Sequence, residues 1–181
     1  MDHPEDLPVL LGDSIFRRLY ERNTSLFDSL SGQLCVGGQT IPDLRDKVKA
    51  VREQLRERHV IILIGANDIL KRVPCENIQL NIRSLIRHLK RLKCRISLCE
   101  VLPIPKLGRK LTAASAVLKL NSYLRSFEPS GVHIIHSQEV FCNAGVIKCD
   151  LYCKKLGSTG RVDLVHPNAS GLDCLLLTLE V

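Results

Sequence analysis

Tryptophan is absent from this 181-residue chain, methionine occurs once, and aromatic residues make up 4% of it. A surface that binds single-stranded nucleic acid by stacking needs exposed rings. Any contact with RNA is therefore expected to be weak, driven by charge or shape, and poorly sequence-specific. The longest unbroken apolar stretches lie near 60–64 and 174–177, far below the roughly 20 residues of a membrane span. The opening MDHPEDLPVLLGDS has no basic stretch followed by an apolar run, so no secretory signal is expected. No internal repeat, low-complexity tract or interdomain linker interrupts the chain. Hydrophobic residues at 45% and charged residues at 25% argue against disorder, a coiled coil or a collagen-like rod. One domain over 1–181 is expected, with an ample core.

No CxxC pair occurs among the eight cysteines, Cys35, Cys75, Cys94, Cys99, Cys142, Cys149, Cys153 and Cys174. Without a secretory signal, free thiols in a reducing, cytoplasmic compartment are expected. Cys142, Cys149 and Cys153, with His133 and His136 upstream, offer zinc-ligand chemistry, but their spacing fits no finger pattern. Core or surface thiols are the preferred reading, with no metal and no cofactor.

Charge is unevenly distributed. The whole chain carries +7, while residues 71–110 alone carry +9. Arg83, Arg87, Lys90 and Arg91 recur at helical spacing in that segment, opposite the apolar stripe Ile78, Ile82, Leu85, Leu89 and Leu92. Such a face suits nucleic acid or an anionic surface. The plainer alternative is a solvated helix face.

Strand and helix signals alternate. Leu7–Leu11, Gln33–Val36, His59–Ile64, Arg95–Leu102 and Val132–His136 read as strands. Between them, helical patterns cover Ser14–Asn23, a segment from Pro42 through Leu44, Val48, Val51 and Leu55, residues 78–92, and Leu111–Phe127. A closing helix is expected over Asn168–Glu180, and 137–162 reads as a loop or small excursion. This alternation predicts an α/β fold with a five-stranded parallel sheet and helices on both faces. Ligand sites in such sheets lie beyond the carboxyl ends of the strands.

Four residue sets fall at those ends. Gly12-Asp13-Ser14 places a hydroxyl at a strand end and helix start, although Asp and Ser are also favoured helix caps. Gly37-Gly38-Gln39-Thr40 lets the backbone approach a ligand, or simply turns the chain. Gly65-Ala66-Asn67-Asp68 offers an amide where an oxyanion would form, or another cap. In Asp163-Leu164-Val165-His166-Pro167-Asn168 the Asp can turn back to the ring and leave the other nitrogen free for a serine proton. Together the sets supply a nucleophile, oxyanion donors and an Asp–His base, the constellation of acyl transfer.

The pieces LLGDSI, VGGQT, LIGAND and DLVHPNASG resemble the SGNH hydrolases, the GDSL-like esterases and lipases, over nearly the whole chain. The resemblance implies Ser14 as nucleophile, His166 as base and Asp163 as its orienting partner. It also implies an oxyanion hole from the Ser14 and Gly38 N–H groups and the Asn67 side chain. The implied fold is a flavodoxin-like three-layer α/β/α sandwich with strand order 2-1-3-4-5. The basic helix and the VLPIP segment are similar to SGNH-like domains of RNA-linked proteins, the OSK domain and retrotransposon-encoded esterase domains. The OSK domain is described as having lost catalytic residues, and this chain has all of those named above. The expected activity is hydrolysis of a small-molecule or lipid ester. Leu70, Val73, Ile104 and Leu107 are the apolar candidates for its pocket. The alternative is an RNA- or anionic-surface-binding module that uses Arg83, Arg87, Lys90 and Arg91.

Overall fold

The computed structural model describes residues 7–108, 115–156 and 160–180. Arg109, Lys110 and residues 111–114, where the 111–127 helix was expected to begin, lie outside the described residues. Four parallel strands form the sheet: β1 (Val9–Gly12), β2 (His59–Leu63), β3 (Arg95–Cys99) and β4 (His133–Ile135), side by side in that order. Leu10 lies opposite Ile61, Ile61 opposite Ser97, and Ser97 opposite His133. The continuous β-branched run of β2 is buried from Val60 onward, as a central strand covered on both faces requires.

Alternate residues of β1 and β2 enter different cores. Val9, Leu11, Val60 and Ile62 pack under α3 (Ile41–Ala50), α6 (Cys75–Arg91) and α7 (Ser115–Arg125). Leu10, Ile61 and Leu63 pack under α1 (Ser14–Arg22) and α9 (Ala169–Thr178). Helices thus cover both faces. The stripe read for α6, Ile78, Ile82, Leu85 and Leu89, is buried, as are Ile15, Phe16 and Leu19 on α1, while α7 buries Val117, Leu120 and Leu124. The segment expected as one helix from Pro42 to Leu55 breaks at Val51 into α3 and α4 (Arg52–Leu55).

The fifth strand expected at Gln33–Val36 is absent. Residues Ser31–Leu34 form a helical turn, α2, and only Cys35 pairs with β1 in strand fashion, through one parallel bridge to Gly12. A short apolar run fits either a strand or a buried helical turn. Here Leu34 buries its side chain while the chain turns at Gly37-Gly38. The bridge occupies the edge of β1 where the order 2-1-3-4-5 would place that strand. A further short helix, α5 (Ala66–Leu70), follows β2 at once.

Within 137–162, of which 157–159 lie outside the described residues, the chain is a built structure. It holds α8 (Ser137–Val140), the hairpin β5 (Cys142–Asn143) and β6 (Val146–Ile147), a turn at Cys149–Leu151, and the pair β7 (Lys155–Leu156) and β8 (Arg161–Val162). Phe141, Ile147 and Tyr152 join the core under α9, and the Tyr152 hydroxyl donates to Pro103 O at 2.6 Å.

The first turn of α9 lies directly on this excursion. A Cβ at Gly171 would overlap Leu151 O and sit 2.9 Å from Pro167 Cβ. Gly171→Ala is therefore expected to lower stability by about 1–3 kcal/mol through overpacking. The urea midpoint should fall with an unchanged slope.

Candidate active site

Ser14 owes its place to its two neighbours. Gly12 ends β1 where a Cβ would approach Leu63 O to 2.6 Å and Phe16 to 3.0 Å, so only glycine lets the chain leave the sheet there. Asp13 is the cap of α1: its Oδ1 accepts the Ile15 N–H at 2.9 Å. Ser14 thereby begins the helix with its own N–H in the first turn, whose amides have no intrahelical acceptor.

Ser14 Oγ lies 2.8 Å from His166 Nε2, across 152 positions of sequence. His166 Nδ1 faces Asp163 at 2.8 and 3.0 Å. A carboxylate only accepts, so the ring proton sits on Nδ1 and leaves Nε2 to accept the Ser14 hydroxyl proton. Asp163 is buried and also accepts the N–H groups of Val165 at 3.1 Å and His166 at 3.2 Å. That turn forces Leu164 to φ +50°, a costly conformation for a branched residue.

The chain before the turn holds it in place. Leu164 N–H donates to Cys153 O at 2.9 Å, Asp163 N–H to Lys154 O at 3.1 Å, and Cys153 N–H to His166 O at 2.9 Å. On the other side Lys106 N–H donates to Leu164 O at 3.0 Å. Nothing periodic marks 151–154 in the sequence, so this support was not legible there.

Gly38 lies on the same cleft at φ +73°. Among the described residues, no acceptor takes its N–H. Asn67 Nδ2 donates to Gln39 O at 3.0 Å and reaches Asp13 Oδ2 only at 3.5 Å. One amide hydrogen is thus engaged and the other loosely held. Gln39 is buried and donates from Nε2 to Gly12 O at 2.6 Å and Leu34 O at 2.9 Å. Asp68 accepts the Ile41 N–H at the start of α3, whose N-cap is Thr40, while α5 itself starts from Gly65 without a side-chain cap, so the cap expected at Asn67 or Asp68 is not formed.

These residues enclose an open cleft of about 340 Å³ lined by Ser14, Gly38, Asn67, Leu70, Val165 and His166, with Lys106 and Val162 at its rim. Of the expected apolar candidates only Leu70 lines it. Ile104 is in the core, Val73 packs against that core, and Leu107 is exposed elsewhere. Val162, Val165 and Lys106 carry no motif and were not anticipated. A serine hydroxyl bonded to an imidazole whose far nitrogen is held by a buried carboxylate can give up its proton to attack a carbonyl.

The basic residues lie elsewhere. Arg83, Arg87, Lys90 and Arg91 are exposed on α6 and line a separate groove of about 440 Å³ with Ile86, Phe127 and Ser130. All eight cysteines are free thiols. Burial pushes Cys94 up to about 11 and drives Cys35 and Cys99 higher still. Among the described residues no three His, Cys, Asp or Glu side chains are placed to hold a metal ion.

The OSK domain family matches residues 9–162. The span includes Ser14, Gly38 and Asn67 and ends one residue before Asp163. No curated sequence matches the chain. Among solved structures, it is similar to the OSK domain of Drosophila Oskar, with TM-score 0.78 at 21% identity, covering 97% of this chain and 86% of that one. A GDSL-like lipase from Bacteroides thetaiotaomicron matches with TM-score 0.73 at 19% identity, over 97% of this chain and 86% of the lipase. A psychrotrophic esterase from Pseudoalteromonas sp., solved with monoethylphosphonate as inhibitor, matches with TM-score 0.66 at 20% identity, over 97% of each chain. At these identities the likeness is one of fold.

Beneath Ser14, burial pushes Asp13 up to about 6, opposed by the Ile15 N–H and aided by the negative charge of Asp68. The folded state then holds a proton that the unfolded chain has released, from about pH 4 to about pH 6. Stability falls as pH rises through that window. Asp13→Asn keeps a capping side chain and removes this component, whose size is on the order of 2–3 kcal/mol. Urea titrations at pH 4, 5, 6 and 7 should show a flatter profile for the variant than for the wild type.

Proposed function

The chain belongs to the OSK domain family, and we propose that within that family it acts as a serine ester hydrolase through Ser14. The observation that carries this reading is the 2.8 Å approach of Ser14 Oγ to a His166 ring whose Nδ1 is held by buried Asp163. The family match ends before Asp163, so the base comes from this chain's own sequence and geometry.

Ser14 Oγ attacks the ester carbonyl as His166 Nε2 takes the hydroxyl proton. Asp163 fixes the ring and stabilises the imidazolium that forms. The oxyanion is received by the Ser14 and Gly38 N–H groups and by the Asn67 hydrogen that Asp13 holds only loosely. Collapse returns the proton from His166 to the leaving alkoxide and leaves an acyl-enzyme on Ser14. Water then attacks the acyl carbonyl, giving its proton to His166, and the acid departs as Ser14 Oγ recovers that proton. All of these transfers are made by side chains and main-chain amides of this chain.

A second reading is favoured by one separate observation. Four cations, Arg83, Arg87, Lys90 and Arg91, border one groove with Ile86 and Phe127 at its base. Lys90 Nζ is tied to Ser130 O at 2.6 Å and Arg83 Nε to Tyr123 OH at 3.3 Å. Among the described residues Arg87 and Arg91 have no acidic partner. This face suits RNA or an anionic surface, and it uses none of the cleft residues.

Ser14→Ala and His166→Ala should each lower kcat on a p-nitrophenyl ester by about 10⁴–10⁶, and the double variant should lose little more, since the two act as a unit. An organophosphonate should label the wild type at Ser14 alone. Additive losses in the double variant, or labelling elsewhere, would remove the assignment.

For the basic groove, Arg87→Glu with Arg91→Glu should weaken RNA binding and flatten the slope of log K against log salt. Fluorescence anisotropy across a salt series reads both quantities. No binding at low salt leaves the face merely solvated.

A further inference from the structure

The +9 segment was read as a helix face, yet two of its lysines stand at the cleft. Lys71 follows α5, and its Nζ lies 3.3 Å from Gly38 O. Lys106 lines the rim on the side of the His166 loop, with its backbone fixed to Leu164 O at 3.0 Å. Lys106 thus lines the cleft itself, while Lys71 is bonded to Gly38, one of the residues that line it.

The cleft has little negative charge to set against them. Its single acidic lining residue is Asp163, buried and committed to His166. Lys71 has Asp43 for company: the Thr40 hydroxyl and N–H hold that carboxyl below the usual range, with Lys71 and Lys47 adding to the effect. Lys106 has no ion-pair partner among the described residues. Of the residues outside the described part, 109–114 and 157–159 contain no Asp or Glu, and 1–6, which contain Asp2, Glu5 and Asp6, precede β1, whose carboxyl end is the one at the cleft. The remaining walls, Leu70, Val162 and Val165, are apolar and bind no charge. A cleft with one cation unpaired among the described residues, over low-dielectric walls, concentrates positive potential at its mouth.

Resting on the ester-hydrolase reading of this cleft, we propose that it selects esters bearing an oxyanionic group, a carboxylate or a phosphate, beside the scissile bond. Lys106 is the specificity-determining residue. It meets the substrate's anion while the apolar walls take the hydrocarbon part, and Lys71 adds a weaker field from beside Gly38. The segment 71–110 thus contributes its charge to two places, the groove on α6 and the mouth of the cleft.

The test compares kcat/KM for three acetate esters: 4-acetoxybenzoate, 4-acetoxyphenyl phosphate and the neutral methyl 4-acetoxybenzoate. The anionic-to-neutral ratio is read in the wild type, in Lys106→Gln and in Lys106→Glu. Differences in intrinsic reactivity cancel when each variant's ratio is divided by that of the wild type. A partly exposed ion pair leads to an expected fall of about three- to tenfold in Lys106→Gln and a larger fall in Lys106→Glu. Added salt should lower the wild-type ratio toward that of Lys106→Gln. The carboxylate and phosphate arms show which anion is preferred. Lys93→Glu makes the same charge change at the amino end of β3, the opposite end of the sheet, and should leave the ratio in place. Ratios that do not move with Lys106, or that fall equally with Lys93→Glu, overturn the selectivity while leaving the hydrolase reading intact. Turnover of all three esters no faster than by Ser14→Ala overturns both.

Discussion

Four main-chain hydrogen bonds clasp residues 151–154 to residues 163–168, from Asp163 to Lys154, Leu164 to Cys153, Cys153 to His166 and Asn168 to Leu151. The candidate site depends on this clasp. Ser14 is delivered by the sheet, because β1 ends there and α1 begins. His166 belongs to no strand or helix, and its turn contains a leucine with a left-handed backbone. Such a turn persists only where its surroundings over-determine it. The clasp does so, and it is itself anchored by Tyr152, buried and bonded to Pro103 O beyond the end of β3. The sheet thus reaches His166 through the excursion, even though the two are distant in sequence.

The parts of the fold that were legible in the sequence are those governed by hydrophobic period. The run His59–Ile64 announced a central strand, and the stripe from Ile78 to Leu92 announced α6, because burial on two faces or on one leaves distinct patterns. Gln33–Val36 was misread since four residues cannot separate a strand from a helical turn. The excursion stayed illegible because it is held by main-chain hydrogen bonds and a few single anchors, which leave no period. Candidate-site residues were legible where a suggestive side chain stands at a strand end, as with Ser14 and Asn67, or in an Asp-x-x-His turn, as with His166. Those that only line the cleft, such as Val162 and Val165, could not be read from residue type.

Capping and chemical readings of the same residues turn out to be complementary. Asp13 takes the cap of α1, which frees Ser14 from that duty, and Asp68 accepts the first N–H of α3, while α5, which carries Asn67, has no side-chain cap. The cost falls on the carboxyl groups, both buried and both pushed up to about 6, principally by loss of solvent. Gln39 completes the layer by joining the end of β1 to the end of α2. Buried Asp13, Gln39 and Asp68 therefore form a polar layer that joins the end of β1 to α2 and α3.

The cleft and the basic groove share no residue. Neither Ser14 nor His166 contributes to the groove, and neither Arg87 nor Arg91 touches the cleft. Mutation can therefore act on the two independently. A single codon change at Ser14 would silence the hydroxyl without disturbing α6, and drift along α6 would alter its charge without reaching the clasp. The two surfaces can thus differ separately from one sequence to the next, so that a change in one carries no information about the state of the other.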